Sequence, residues 1–154
     1  MTTLIEIECS IAQEEVALAT LEENGKETGD LLIGRRVDEA NNEVLLIVRL
    51  MQPTSVSKHT IALRRTLQNH NIASFRFVTC DLVNVSFGPS VDPQEQMQDF
   101  PLHSDELWFV SLHDRHQAYV CISKPVMDAK QAAWLLKHEV LWTYVDAQKN
   151  GVVT

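Results

Sequence analysis

Five consecutive apolar residues, Val44-Leu45-Leu46-Ile47-Val48, stand between Glu43 and Arg49. Successive side chains of a strand point to opposite faces, so this run is apolar on both sides and reads as a central strand. It is far too short to span a bilayer. A sheet is therefore required, and the neighbouring sequence supplies it. Leu31 to Val37 forms a second strand, joined to Glu43–Met51 through the polar turn Asp38-Glu39-Ala40-Asn41-Asn42. Another hairpin runs through Leu107–Leu112 and Gln117–Ser123, with His113-Asp114-Arg115-His116 at its tip. Between the hairpins, Ala73 to Phe87 is strand-like, with Phe75, Phe77, Val83, Val85 and Phe87 on one face.

Three helices complete the pattern. The first covers Ala12 to Glu23 and stops at Asn24-Gly25. Leu4, Ile7, Ile11 and Leu18 share a helical face, so the helix is expected to reach back towards the N-terminus, although Leu4-Ile5-Glu6-Ile7-Glu8 also alternates like a strand. The second follows Pro53, capped by Thr54 or Ser55, and runs to Asn69 with Val56, Thr60, Leu63 and Leu67 as its apolar stripe. The third is long, from a cap at Asp128, with Gln131 at capping-box spacing, to Asn150-Gly151. Gly88 to Asp105, with three prolines, reads as an exposed loop. The order αββαβββα predicts one α+β domain over residues 1–154, an antiparallel sheet with helices packed mainly on one face.

With 45% apolar and 22% charged residues, the chain has a globular composition. Its first residues lack the basic segment of a signal peptide and carry Glu6 and Glu8 where an apolar core is needed, so a cytoplasmic location is expected. Cys9, Cys80 and Cys121 are odd in number and widely spaced, which argues against a disulfide framework or zinc knuckle. No phosphate-loop, dinucleotide or nucleophile-elbow motif occurs, and no cofactor is expected. Glu22-Glu23-Asn24-Gly25 resembles the end of the signature of Nudix pyrophosphate-cleaving enzymes, but Leu18-Ala19 replace the Arg-Glu pair that should precede it, and the upstream Gly is missing. It reads as an ordinary helix end.

Charge is segregated. Residues 1–51 hold 11 Asp/Glu against 4 Lys/Arg, and residues 81–154 hold 10 against 5. From Gln52 to Cys80 there is no carboxylate, only Lys58, Arg64, Arg65, Arg76, His59 and His70. Those four cations form a candidate basic face for phosphate or nucleic acid. The net charge of −8 opposes such a ligand at long range, and pairing with carboxylates of this chain or a partner competes with it.

The predicted C-terminal helix has two apolar stripes. Trp134, Leu135, Leu141, Trp142 and Val145 gather on one side, and Ala133, Leu136, Val140 and Tyr144 on another. A helix on a sheet needs one stripe, so Trp134, Leu136, Val140, Trp142 and Tyr144 become candidates for an interface with a second copy of the chain. The titratable cluster at the hairpin tip, His113 and His116, could meet His103 at a metal, although tip residues ordinarily point into water. The leading expectation is a non-enzymatic, acidic, homodimeric protein-binding module: an inhibitor, immunity protein, adaptor or chaperone-like protein. A nucleic-acid or nucleotide-binding regulator using the helix at 54–69 is one alternative, and a histidine- or metal-dependent enzyme the other. No membrane partner is expected.

Overall fold

Strands dominate the chain. The computed structural model describes residues 1–51 and 56–145. Among them are seven strands and four α-helices: β1 (Thr2–Cys9), α1 (Glu14–Thr28), β2 (Leu31–Asp38), β3 (Glu43–Arg49), α2 (Val56–Asn69), β4 (Ser74–Ser86), α3 (Pro93–Gln96), β5 (Leu107–Ser111), β6 (Gln117–Ile122), α4 (Ala129–Lys137) and β7 (Leu141–Tyr144). The chain divides into two compact units, Thr3–Val78 and Met1–Thr2 with Thr79–Thr154. β4 contributes its first residues to one unit and the rest to the other.

In the unit Thr3–Val78 the elements follow one another as βαββαβ. β1 and β2 each pair antiparallel with β3, and β1 also pairs with β4, giving the order β2-β3-β1-β4. Ile5, Ile7 and Cys9 from β1 and Val44, Leu46 and Val48 from β3 meet Ala17 and Leu21 of α1 and Leu63 and Leu67 of α2 in one buried cluster. The bidentate ion pair of Arg35 with Glu14 ties β2 to α1.

The unit containing residues 79–145 repeats the pattern. The remainder of β4 is followed by α3, the β5–β6 hairpin, α4 and β7. β6 pairs antiparallel with β5 and β4, and β7 adds to β4, so the order is β5-β6-β4-β7. Val83, Val85, Trp108, Ala118, Val120 and Ile122 form its core with Trp134 and Leu135 of α4.

Three expectations require correction. Residues 2–9 are a strand, not a backward extension of the first helix. Ser10 starts a new segment through a reciprocal capping box with Gln13, which ends strand geometry at Cys9. The long C-terminal helix is also absent. α4 ends at Lys137 because Glu139 adopts φ 53°, and Glu139 N–H and Val140 N–H then bond back to the carbonyls of Leu136 and Leu135. The chain emerges as β7, which overturns the two-stripe helix. Finally, the predicted α+β layout, with helices mainly on one face of a sheet, gives way to a sheet-dominated fold. Its physical reason is that the strand faces turned away from the helices are buried as well: Leu4, Ile33 and Ile47 in one unit and Leu82, Leu107, Phe109 and Cys121 in the other.

The predicted cap at Thr54 or Ser55 and the stop at Asn150-Gly151 lie outside the described residues. Among those described, no helix is long and apolar enough to cross a membrane.

Candidate active site

Residues directly opposite one another in paired strands share a face. Glu6 faces Ile47, Glu8 faces Leu45, and Leu45 in turn faces Arg36. Since Ile5, Ile7 and Cys9 point to the helices, Glu6 and Glu8 stand on the other side of the sheet, together with Arg36. Glu43, two residues before Leu45, shares that side and lies diagonally across from Glu8. β4 adds Ser74, which hydrogen-bonds Glu8, and Arg76, whose Nη2 and Nε donate to Glu6 at 2.5 and 3.1 Å. One sheet face thus gathers Glu6, Glu8 and Glu43 with Arg36 and Arg76.

Two carboxyls in contact cannot both ionise cheaply. The hydrogen bond with Glu43 holds the Glu8 carboxyl above its ordinary range. Burial and the charges of Glu43 and Glu6 push the same way, while Ser74 pulls it down. Burial also lowers the Arg36 guanidinium, opposed by the charge of Asp38. On the reverse of β1, burial and then the charges of Glu14 and Glu8 push the Cys9 thiol up to about 11, so it is no thiolate nucleophile. Cys80 and Cys121 are likewise buried and belong to no disulfide.

The residues singled out from sequence are dispersed. Of the basic set, Arg76 is paired with Glu6, and the Arg64 guanidinium lies 5.8 Å from the Phe75 ring centroid. Lys58 and Arg65 are exposed on α2. The histidines do not converge. His103 pairs with Asp128 at the cap of α4, whereas the backbone N–H of His113 bonds to Ser111 and that of His116 to Asp114. Among the described residues no group of three His, Cys, Asp or Glu could hold a metal ion, which removes His103, His113 and His116 as a ligand set. Of the interface candidates, Trp134 is a core residue stacked on His138, and Val140 and Tyr144 pack against the same core. Leu136 and Trp142 are exposed, the first at 80%.

A second polar cluster lies at the start of α4. Glu106 accepts from His103 N–H, from Ser123 N–H and its hydroxyl, and from the Gln131 amide. Burial raises its carboxyl, but these donors together hold it below the ordinary range. Each partner here closes a loop or caps a helix, so the cluster is structural.

Sequence reasoning missed the Glu8–Glu43 pair. Its one visible trace is the alternation of Glu6 and Glu8 with Ile5 and Ile7, which places both acids on one face once the segment is read as a strand.

No protein-family model matches the chain. No curated protein matches it either. Among solved structures, the crystal structure described as "putative monooxygenase from Lactobacillus acidophilus NCFM" resembles it with 12% identity and a TM-score of 0.36, over 94% of this chain and 92% of that one. At that score the likeness carries no argument about activity. The non-enzymatic binding module is nevertheless set aside, together with the metal site at His103, His113 and His116. Its carrier, the second stripe of a long terminal helix, does not exist, and the histidines stand apart.

Proposed function

We propose that this protein is an acid–base enzyme acting on a small substrate that carries an anionic group and an exchangeable proton. The observation that carries this reading is the hydrogen bond between the Glu8 and Glu43 carboxyls, which keeps a proton on Glu8 above the usual carboxylate range. A protonated carboxyl beside an ionised one supplies an acid and a base at one place. Glu8 donates its proton to the substrate, Glu43 accepts one, and Arg36 and Arg76 on the same face favour an anionic substituent.

Proton transfer can be read without knowing the natural substrate. A panel of small keto acids is incubated with the protein in D2O, and exchange of their acidic C–H protons is followed by NMR. At least one member is expected to exchange faster than in buffer, and Glu8→Gln and Glu43→Gln should each slow that exchange by ~100-fold. Rates equal to buffer for the whole panel, or rates unchanged in both variants, would sink the proposal.

A further inference from the structure

A cleft of about 420 Å³ opens between α1 and α2, lined by Ala19, Thr20, Glu23, Asn24, Glu27, Ala62, Leu63 and Thr66. Its volume falls within the range of small-molecule sites. Acceptors predominate among its lining side chains, and the Asn24 carboxamide supplies the only side-chain N–H donors. The Thr20 hydroxyl donates to the Val16 carbonyl at 2.8 Å, and the Thr66 hydroxyl to the Ala62 carbonyl at 3.0 Å. Each hydroxyl proton is thereby used within its own helix, leaving only acceptor lone pairs for the cleft. Glu23 and Glu27 are acceptor-only when ionised, and no cationic side chain is among the lining residues. Lys26 reaches Glu23 at 3.7 Å, but these side chains are 76% and 69% exposed, so water weakens that pair. Leu63, Ala62 and Ala19 provide apolar surface.

We infer that the α1–α2 cleft binds an organic ammonium compound, its charged head between Glu23 and Glu27 and its alkyl body against Leu63, Ala62 and Ala19. An anion would meet two carboxylates, and a neutral alcohol would find acceptors for its one proton but no charge to complement theirs. The site is separate from the Glu8–Glu43 face, and its test does not depend on catalysis.

Calorimetric titration with n-pentylamine, n-pentanol and pentanoate distinguishes the possibilities. The amine should bind ~10-fold more tightly than the alcohol, and pentanoate should not bind. The double variant Glu23→Gln/Glu27→Gln should lose ~10-fold in amine affinity, and Glu15→Gln/Glu39→Gln, with the same change in net charge, should stay within ~2-fold of wild type. Amide shifts in NMR spectra should centre on Thr20, Leu63 and Thr66. Equal loss in both double variants would show diffuse attraction to an acidic protein and overturn the site. So would alcohol binding equal to that of the amine, absence of amine binding, or shifts centred elsewhere. Far-UV circular dichroism of both exposed double variants confirms that their helices are retained.

Discussion

A carboxyl held above its ordinary range by a second carboxyl weakens the native state at neutral pH. Folded Glu8 binds its proton more tightly than unfolded Glu8, whose value is near 4.5. Stability from this group is therefore full below that value and falls as pH rises through the raised native one. Glu43→Gln removes the dominant cause, so it should stabilise the protein at pH 7 by about a few tenths of a kcal/mol, read as a higher urea midpoint, the gain being small because water screens this exposed pair. The same change slows the proposed proton transfer, a trade expected where a site keeps an unfavourable charge arrangement for function. A lower midpoint for Glu43→Gln would refute the assigned repulsion. Gln131 is the contrasting residue. It is 1% exposed, and its amide donates to the Pro101 carbonyl at 3.0 Å and to Glu106 at 2.7 Å. Gln131→Ala leaves both acceptors without this donor, and a loss of ~2 kcal/mol is expected by urea unfolding.

Helix ends show how far the sequence was legible and where it stopped. Asn71 ends α2 with φ 62°, with Ile72 N–H bonded to the Leu67 carbonyl, and the polar Asn69-His70-Asn71 run announces it. Asn24-Gly25 carries the same kind of signal but no stop. α1 continues to Thr28 and ends at Gly29 with φ 80°. Gly25 has a packing reason instead: a Cβ there would come within 2.8 Å of the Asp30 carbonyl oxygen. At the end of α4 the left-handed position is Glu139, a residue type that gives no stop signal, so the helix was predicted to run on. Glu139→Gly should relieve that backbone and stabilise the protein by ~0.5–1 kcal/mol, read as a higher thermal midpoint. A lower midpoint would mean that the Glu139 side chain contributes more than its backbone costs. Both hairpins were legible because turn and alternation are local. The carboxyl pair was not, because it depends on the register between strands more than thirty residues apart in sequence. That register is set only after residues 2–9 have become a strand.

Across the whole molecule the same order of elements, βαββαβ, occurs twice with β4 shared, yet the amino-acid sequence shows no repeat. The second copy replaces the fifteen-residue α1 with the four-residue α3, and lengths this different hide the correspondence from any periodicity. The two copies also distribute their acids differently, which decides how the protein meets acid. In the unit Thr3–Val78, the Glu8 arrangement favours protonation, whereas Asp38 is held below the usual range first by its hydrogen bond with the Asn41 side chain. In the other unit both shifted acids are lowered: Asp128 first by the Gln131 N–H, and Glu106 by its four donors against burial. A lowered carboxyl contributes stability above its unfolded value and loses it as pH falls through the native one. Three such groups oppose the single raised Glu8, so the native state should lose stability as pH falls from about 5 towards 3. Loss of carboxylate charge adds to this by turning a chain of net −8 into a cation carrying 13 Lys/Arg and 6 His. The Gln131 side chain and the cap of α4 depend most directly on Glu106 and Asp128, so the acid transition should begin there. Hydrogen exchange followed by NMR from pH 5 to pH 3 should show protection lost first at Gln131 and Ala132, before the amides of β3, and Glu106→Gln should shift that local loss to higher pH. Simultaneous loss at β3 and α4 would mean that the acid response is not centred on these carboxylates.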